Sequence, residues 1–285
     1  MTDAPLADSP SPGTTGTPDL TTGRITYIGN ATLLIEYAGM TILTDPAFLG
    51  KGARIDLGYG VHSQRLTNPA MRVADLPELD GIVLSHMHPD HFDRVAERDL
   101  DRSVLIVTVP EAVDDLNQRG FIKTLALETW EFWTCSCHGA SITVTALPAR
   151  HGPAAIDLIM PDVMGTMYEF RPRNSAQPFR LYVSGDTLAV GELDEIPERY
   201  PDIDLGILHL GGGKIYAVTV TMDDRQGMEV LEKIAPKHAI PIHFDDYDIF
   251  KSPLSDFQEA VKEAGMERKL TYVTHGDTYT FEVGQ

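Results

Sequence analysis

The stretch "DGIVLSHMHPDH" sets the strongest constraint on this chain. An apolar run ends in His86, His88, Asp90 and His91, four metal-ligating side chains within six positions. In an extended turn leaving a strand, residues i and i+2 point to the same side, so His86 and His88 can share one metal ion. Asp90 and His91, at the mouth of the next helix, can turn toward a second. Zinc takes neutral imidazoles and carboxylates in near-tetrahedral sets, and a catalytic site leaves one position for water. A solvated turn explains an isolated His-x-His. It gives no reason for four donors in this order directly behind a buried strand. One segment does not close two sites, so further donors must come from elsewhere. His151 after "VTALPAR", Asp186 after "LYVSG" and His243 after "AIPI" are the candidates. Each alone reads as a surface polar residue, and their shared place behind an apolar run is what groups them.

Around this stretch the chain alternates short β-rich runs with helical ones. "RITYIGN", "ATLLIEYAG" and "MTILTDP", separated by Asn, Gly and Pro, predict an antiparallel meander. Residues 47–80 are irregular and rich in Gly, Pro and Arg. Helices are expected at "FDRVAERDLD", at "PEAVDDLNQRG" between Pro110 and Gly120, at "TMDDRQGMEVLEKIAP", and at "SPLSDFQEAVKEAG", where Ser252 is the expected cap. Strands are expected at "SITVTALP", "MGTMYEF", "FRLYVSGD", "IDLGILHL", "HAIPIHF" and "LTYVTHGDTYTFEV". Layered sheets covered by helices follow from this alternation. Residues 1–22, rich in Pro, Ser, Thr and Gly, read as a flexible tail, and 23–285 as one domain.

The ordered set His86, His88, Asp90, His91, His151, Asp186, His243 resembles that of the metallo-β-lactamase superfamily. "YIGNATLLIEYAGMTILTDPAF", "LPARHGP", "YVSGDT" and "IPIHFDDY" are similar to blocks of its lactonase and phospholipase-D-like branch, which includes ascorbate-6-phosphate lactonases. The likeness runs from about residue 24 to the C-terminus. It implies an α/β fold, a four-layer αββα sandwich of two mixed β-sheets flanked by helices, with metals at one edge. It also implies that His86, His88 and His151 hold one ion and Asp90, His91 and His243 the other. Asp186 would bridge them, and Asp45 would support the ligands from behind. Where the branch often has histidine, proline and Trp or Tyr, this chain has Asn30, His209 and Phe244. These departures, and the lack of an amphipathic docking segment, speak against a phospholipid substrate.

The implied activity is hydrolysis of an ester, lactone, amide or phosphodiester bond of a small molecule by a hydroxide that two divalent cations activate. Zinc is the first expectation, with manganese and iron compatible. Asp90 is the expected catalytic carboxylate. A mononuclear-iron dioxygenase of the same fold and a non-catalytic metal-binding relative remain as alternatives. His209 beside a glycine run, His275, His62, Arg65 and Lys214 are candidates for the substrate pocket. A net charge of -19 repels phosphate backbones and so excludes nucleic acid as a natural partner. No run of eighteen apolar residues is present, so no integral membrane segment is expected. With two cysteines and no secretory signal pattern, a cytoplasmic location is expected. A homo-oligomer is compatible with all of this.

Overall fold

The computed structural model describes residues 19–284 apart from 59, 155, 157–159, 174, 176 and 217. Its strands are β1 Thr22–Gly29, β2 Thr32–Tyr37, β3 Met40–Thr44, β4 Arg54–Asp56, β5 His62–Gln64, β6 Gly81–Leu84, β7 Ile106–Thr108, β8 Thr124–Ala126 and β9 Phe132–Cys137. The second half adds β10 Ala140–Leu147, β11 Gly165–Pro172, β12 Phe179–Val183, β13 Leu205–His209, β14 Lys214–Ile215, β15 Val218–Thr219, β16 His238–Ile242 and β17 Thr278–Glu282. The helices are α1 Arg94–Asp99, α2 Ala112–Gln118, α3 Glu195–Arg199, α4 Asp224–Ile234 and α5 Leu254–Glu263.

Two mixed sheets face one another. One has the order β17-β1-β2-β3-β6-β7-β8 and the other β16-β13-β12-β11-β10-β9. In the first, β17 to β3 pair antiparallel and β3, β6, β7 and β8 parallel. The second repeats that plan: β9 to β12 are antiparallel, and β12, β13 and β16 parallel. The meander hairpins close on left-handed pairs, Ala38 and Gly39 between β2 and β3 and His138 and Gly139 between β9 and β10. Two successive positive φ angles match the right-handed twist of the flanking strands. His138 therefore has a turn role.

Tyr37, Ile42, Ile82 and Val107 of one sheet and Ile142, Tyr168, Phe170 and Leu205 of the other belong to one buried apolar cluster. Ala96 of α1 and Leu116 of α2 belong to it as well. A second cluster joins Tyr182, Leu208 and Ala239 to Val230, Leu231 and Ile234 of α4 and Phe257 and Val261 of α5. Two sheets with helices on their outer faces are the α/β architecture expected from the sequence. Among the described residues, no helix is long and apolar enough to cross a membrane.

Three expectations change. Most of the predicted tail lies outside the described residues, yet Leu20 packs on the core and Thr22 already pairs with Glu282 in β1. Pro253 occupies the cap position of α5, while Ser252 Oγ accepts from the Asp224 amide at the start of α4. The last predicted strand shortens to Thr278–Glu282, because Thr274 and Asp277 close a turn ahead of it.

The parallel strands of both sheets run so that their carboxyl ends meet at one edge, the place where open α/β sheets bind ligands. Gly185, just past β12, has φ +61, and a Cβ there would sit 2.6 Å from the Met164 carbonyl oxygen. Only glycine lets the chain turn there and aim Asp186 back over the edge. Gly185→Ala is expected to cost about 2–3 kcal/mol of stability, read as a lower urea midpoint at unchanged slope.

Candidate metal centre

The edge is assembled from the ends of several strands. Past β6, the amides of His91 and Phe92 both donate to the His88 carbonyl, which folds "HMHPDH" into one tight turn. Asp93 then caps α1, its Oδ1 accepting from the Val95 and Ala96 amides. Asp45, past β3, has φ +35 and accepts from the Ser85 amide and hydroxyl at 2.8 and 2.9 Å. Ser85 Oγ, its proton given to Asp45, must accept from His86 Nδ1 at 2.9 Å. The Nε2 lone pair of His86 is thereby aimed inward.

The other rings are fixed in the same way. His151 Nδ1 donates to the Val220 carbonyl at 2.7 Å, and His243 Nδ1 to the Leu210 carbonyl at 3.2 Å. His91 Nδ1 lies 3.4 Å from Asp45 Oδ2. His243 directly follows β16 with φ +64, a left-handed turn that swings its ring back over the strand end.

The inward nitrogens fall into two groups. His88 Nδ1 lies 3.1 Å from both His86 Nε2 and His151 Nε2. His243 Nε2 lies 3.4 Å from Asp90 Oδ2 and 3.6 Å from Asp186 Oδ1. His91 Nε2 is 3.7 Å from Asp90 Oδ2 and 3.5 Å from Asp186 Oδ1. Asp186 stands between the groups, with Thr221 Oγ1 donating to its Oδ2 at 3.0 Å and His209 Nδ1 to its Oδ1 at 3.1 Å.

Charge follows position. Burial pushes His86 well down, and the neighbouring His91, His88 and His151 add to it. Burial and His151 push His88 down to about 3. Burial also lowers His151, so all three of these rings are held neutral with their inward nitrogens close together. On the other side burial works against charge, yet Asp186, Asp90 and Asp45 hold His91 well above the ordinary imidazole range. Burial likewise opposes ionisation of Asp186, but His243 and His91 hold it well below the carboxylate range. Asp90 Oδ1, His91 Nε2 and His243 Nε2 are buried without hydrogen-bond partners. Buried donor atoms left unmatched in this way fit divalent cations, and His86, His88 and His151 on one side and Asp90, His91 and His243 on the other lie close enough to hold them.

Beneath the centre lies a second polar hub that sequence reasoning missed. Asp246, fully buried, accepts from Arg65 Nη2 at 3.3 Å, His275 Nε2 at 3.2 Å, Tyr27 Oη at 3.3 Å, the Thr67 hydroxyl and the Asn30 amide at 2.7 Å. Asn30 Nδ2 in turn donates to the Asp90 carbonyl at 2.8 Å, which links the hub to the metal turn. The aspartate pair in "IPIHFDDY" was the available signal.

All seven predicted donors meet at this edge, with Asp45 behind them. The five pocket candidates lie elsewhere. His209 is fully buried behind Asp186, and Arg65 is fully buried between Asp246 and the Ala47 carbonyl. His275 bonds Asp246 and the Asn68 carbonyl. His62 is exposed 3.7 Å from Asp56, and Lys214 is exposed on β14. The cleft over the centre is lined instead by His88, Asp90, His151, Asp186, Thr221 and His243 on its floor. Leu57, Gly213, Ile215, Val220, Ile249 and Phe250 form its walls.

The profile of the β-lactamase superfamily domain matches residues 41–244, most of the chain. The chain belongs to the metallo-β-lactamase superfamily. Protein YddR of Bacillus subtilis is 27% identical over 278 residues, covering 90% of this chain and all of that one. A UPF0173 metal-dependent hydrolase of Archaeoglobus fulgidus is 25% identical over 259 residues, covering 90% and 99%. Among solved structures, an isothiocyanate hydrolase from Delia radicum gut bacteria superposes with a TM-score of 0.74 at 24% identity, covering 91% of this chain and 99% of that one. That likeness concerns the fold.

Asp246→Ala leaves the buried Arg65 guanidinium unpaired and is expected to cost about 3–5 kcal/mol in chemical denaturation, with Asp246→Asn milder. Burial opposes its charge, but His275 and Arg65 hold the Asp246 carboxyl down at about 2, against an ordinary 3.8. The stability it supplies is therefore present above about pH 4 and disappears as pH falls from there through about 2. The urea midpoint of Asp246→Asn should decline less than the parent's across that window.

Proposed function

We propose that this metal-dependent hydrolase of the metallo-β-lactamase superfamily works with two divalent cations. His86, His88 and His151 would hold one, Asp90, His91 and His243 the other, and Asp186 would bridge them. The observation that supports this reading is the clustering of His86, His88 and His151, of Asp90, His91 and His243, and of Asp186 with His86 and His91, with Asp90 Oδ1, His91 Nε2 and His243 Nε2 buried and unpartnered. Zinc is the ion we assign, because imidazoles outnumber carboxylates in the set.

Such a pair of ions lowers the pKa of a water toward neutrality and polarises the oxygen under attack. The protein's own groups do the rest. Asp90, held ionised against burial by His91 and His243, offers its unpartnered Oδ1 to orient the attacking water and pass its proton to the leaving group. Thr221 and His209 keep Asp186 from rotating, and the carbonyls of Val220 and Leu210 lock the tautomers of His151 and His243. The bond broken is an ester, lactone, amide or phosphodiester of a small molecule.

Zinc-loaded protein should hydrolyse members of a lactone, ester, amide and phosphodiester panel, and Asp90→Ala should lower kcat/KM roughly 10³-fold. His62→Ala should leave it unchanged. Elemental analysis should find two ions per chain. A single iron with visible absorbance would move the reading to an oxygenase, and full function after loss of Asp90 and Asp186 would move it to a binding protein. Chelation should lower Tm by about 5–10 °C, since the cations bind only the folded donor set.

A further inference from the structure

The cleft over the metal centre lies between two small apolar clusters outside the main core. One joins Leu49, Ile55 and Tyr247, with Leu57, Ile249 and Phe250 packed on them. The other joins Met160, Ile215 and Val220, with Val61 and Ile156 packed on them. Their inner faces, Leu57, Ile249 and Phe250 on one side and Ile215 and Val220 on the other, form the cleft's walls. The space between, its open mouth included, is about 330 Å³.

The described lining contains no lysine or arginine. Of the cations close to this lining in sequence, Lys251 and Arg150 are paired elsewhere and Lys214 is exposed. Lys214 is exposed where its neighbour Ile215 is buried, as alternation along β14 requires. Lys251 Nζ donates to the Asp248 carbonyl at 2.6 Å. Arg150, next to His151, pairs with Glu192 at 3.4 Å. Among the described floor residues, the one hydroxyl, that of Thr221, is given to Asp186. A carboxylate or phosphate away from the reacting bond would lose its water against aliphatic and aromatic carbon and gain no partner. The net charge of -19 opposes its approach as well.

Resting on the hydrolase reading above, we infer that the substrate carries no charged group away from its scissile bond and presents an alkyl or aryl substituent between the walls formed by Phe250 and Ile249 on one side and Ile215 on the other. Those residues set its specificity. Sugar-phosphate lactones, the substrates suggested by resemblance to one branch of the superfamily, fall outside this class.

A matched pair of substrates tests this. The p-nitrophenyl ester of hexanoic acid and the mono-p-nitrophenyl ester of adipic acid differ only in a terminal carboxylate. Zinc-loaded protein should favour the hexanoate by at least about 30-fold in kcat/KM, because the carboxylate finds no partner. Phe250→Ala should raise KM for the hexanoate about tenfold through lost apolar contact. Ile249→Arg should shrink the gap between the two esters by a similar factor. Thermal unfolding verifies that each variant is folded, and Phe250→Leu, a smaller change, should retain most of the preference. Calorimetric binding of hexanamide and adipic acid monoamide gives a readout independent of turnover, and hexanamide should bind at least about tenfold more tightly. Tight hexanamide binding without hydrolysis of either ester would sink the hydrolase reading and uphold the substrate class. Equal or stronger binding or turnover of the carboxylate-bearing compounds, or no binding of hexanamide, would overturn the inference.

Discussion

Asp186 is a carboxylate removed from water at the meeting point of two sheets, and the rest of the edge is arranged around its charge. A buried anion needs hydrogen bonds and positive charge close by. Thr221 and His209 supply the hydrogen bonds, and His91 and His243 stand 3.5 and 3.6 Å away to share the charge. Across from it, His86, His88 and His151 are held neutral by burial and bring their ring nitrogens within 3.1 Å of one another in two contacts. Apolar packing fixes where the strands end, and the polar edge accepts an energetic penalty that bound ions relieve.

Asp246 answers a related problem one layer down. It binds Tyr27 of β1, Asn30 in the β1–β2 turn, Arg65 and Thr67 after β5, and His275 before β17. The irregular excursion, which has few strand hydrogen bonds of its own, is anchored through that carboxylate. Asn30 then extends the anchoring to the backbone of Asp90. The turn carrying four donors is thus braced by β3 through Asp45 and Ser85, and by the hub through Asn30.

Much of this was legible because it rests on local signals. The strand-end donors stand behind apolar runs, and the hairpins and helices announce themselves by alternation, capping and glycine. The pocket was read poorly for a physical reason. Histidines and arginines attract attention as functional groups, yet Arg65, His209 and His275 are partners of buried carboxylates. The residues that face the cleft, Leu57, Ile215, Val220, Ile249 and Phe250, are indistinguishable in a sequence from core. Which apolar side chains face a cavity is decided by how distant segments pack, and no short-range pattern records that. Ser252, expected at its own helix, was claimed by α4 for the same reason.

The donors are divided between the two sheets: His86 to His91 follow the first, while His151, Asp186 and His243 belong to the second. Each sheet alone presents only part of the proposed donor set. A chain emerging from synthesis acquires His243 only after most of its length has been made, so full metal affinity arrives when the two sheets have closed on one another. Metal held by donors from both sheets would therefore act as a clasp across the halves, and its retention would report that their docking is complete.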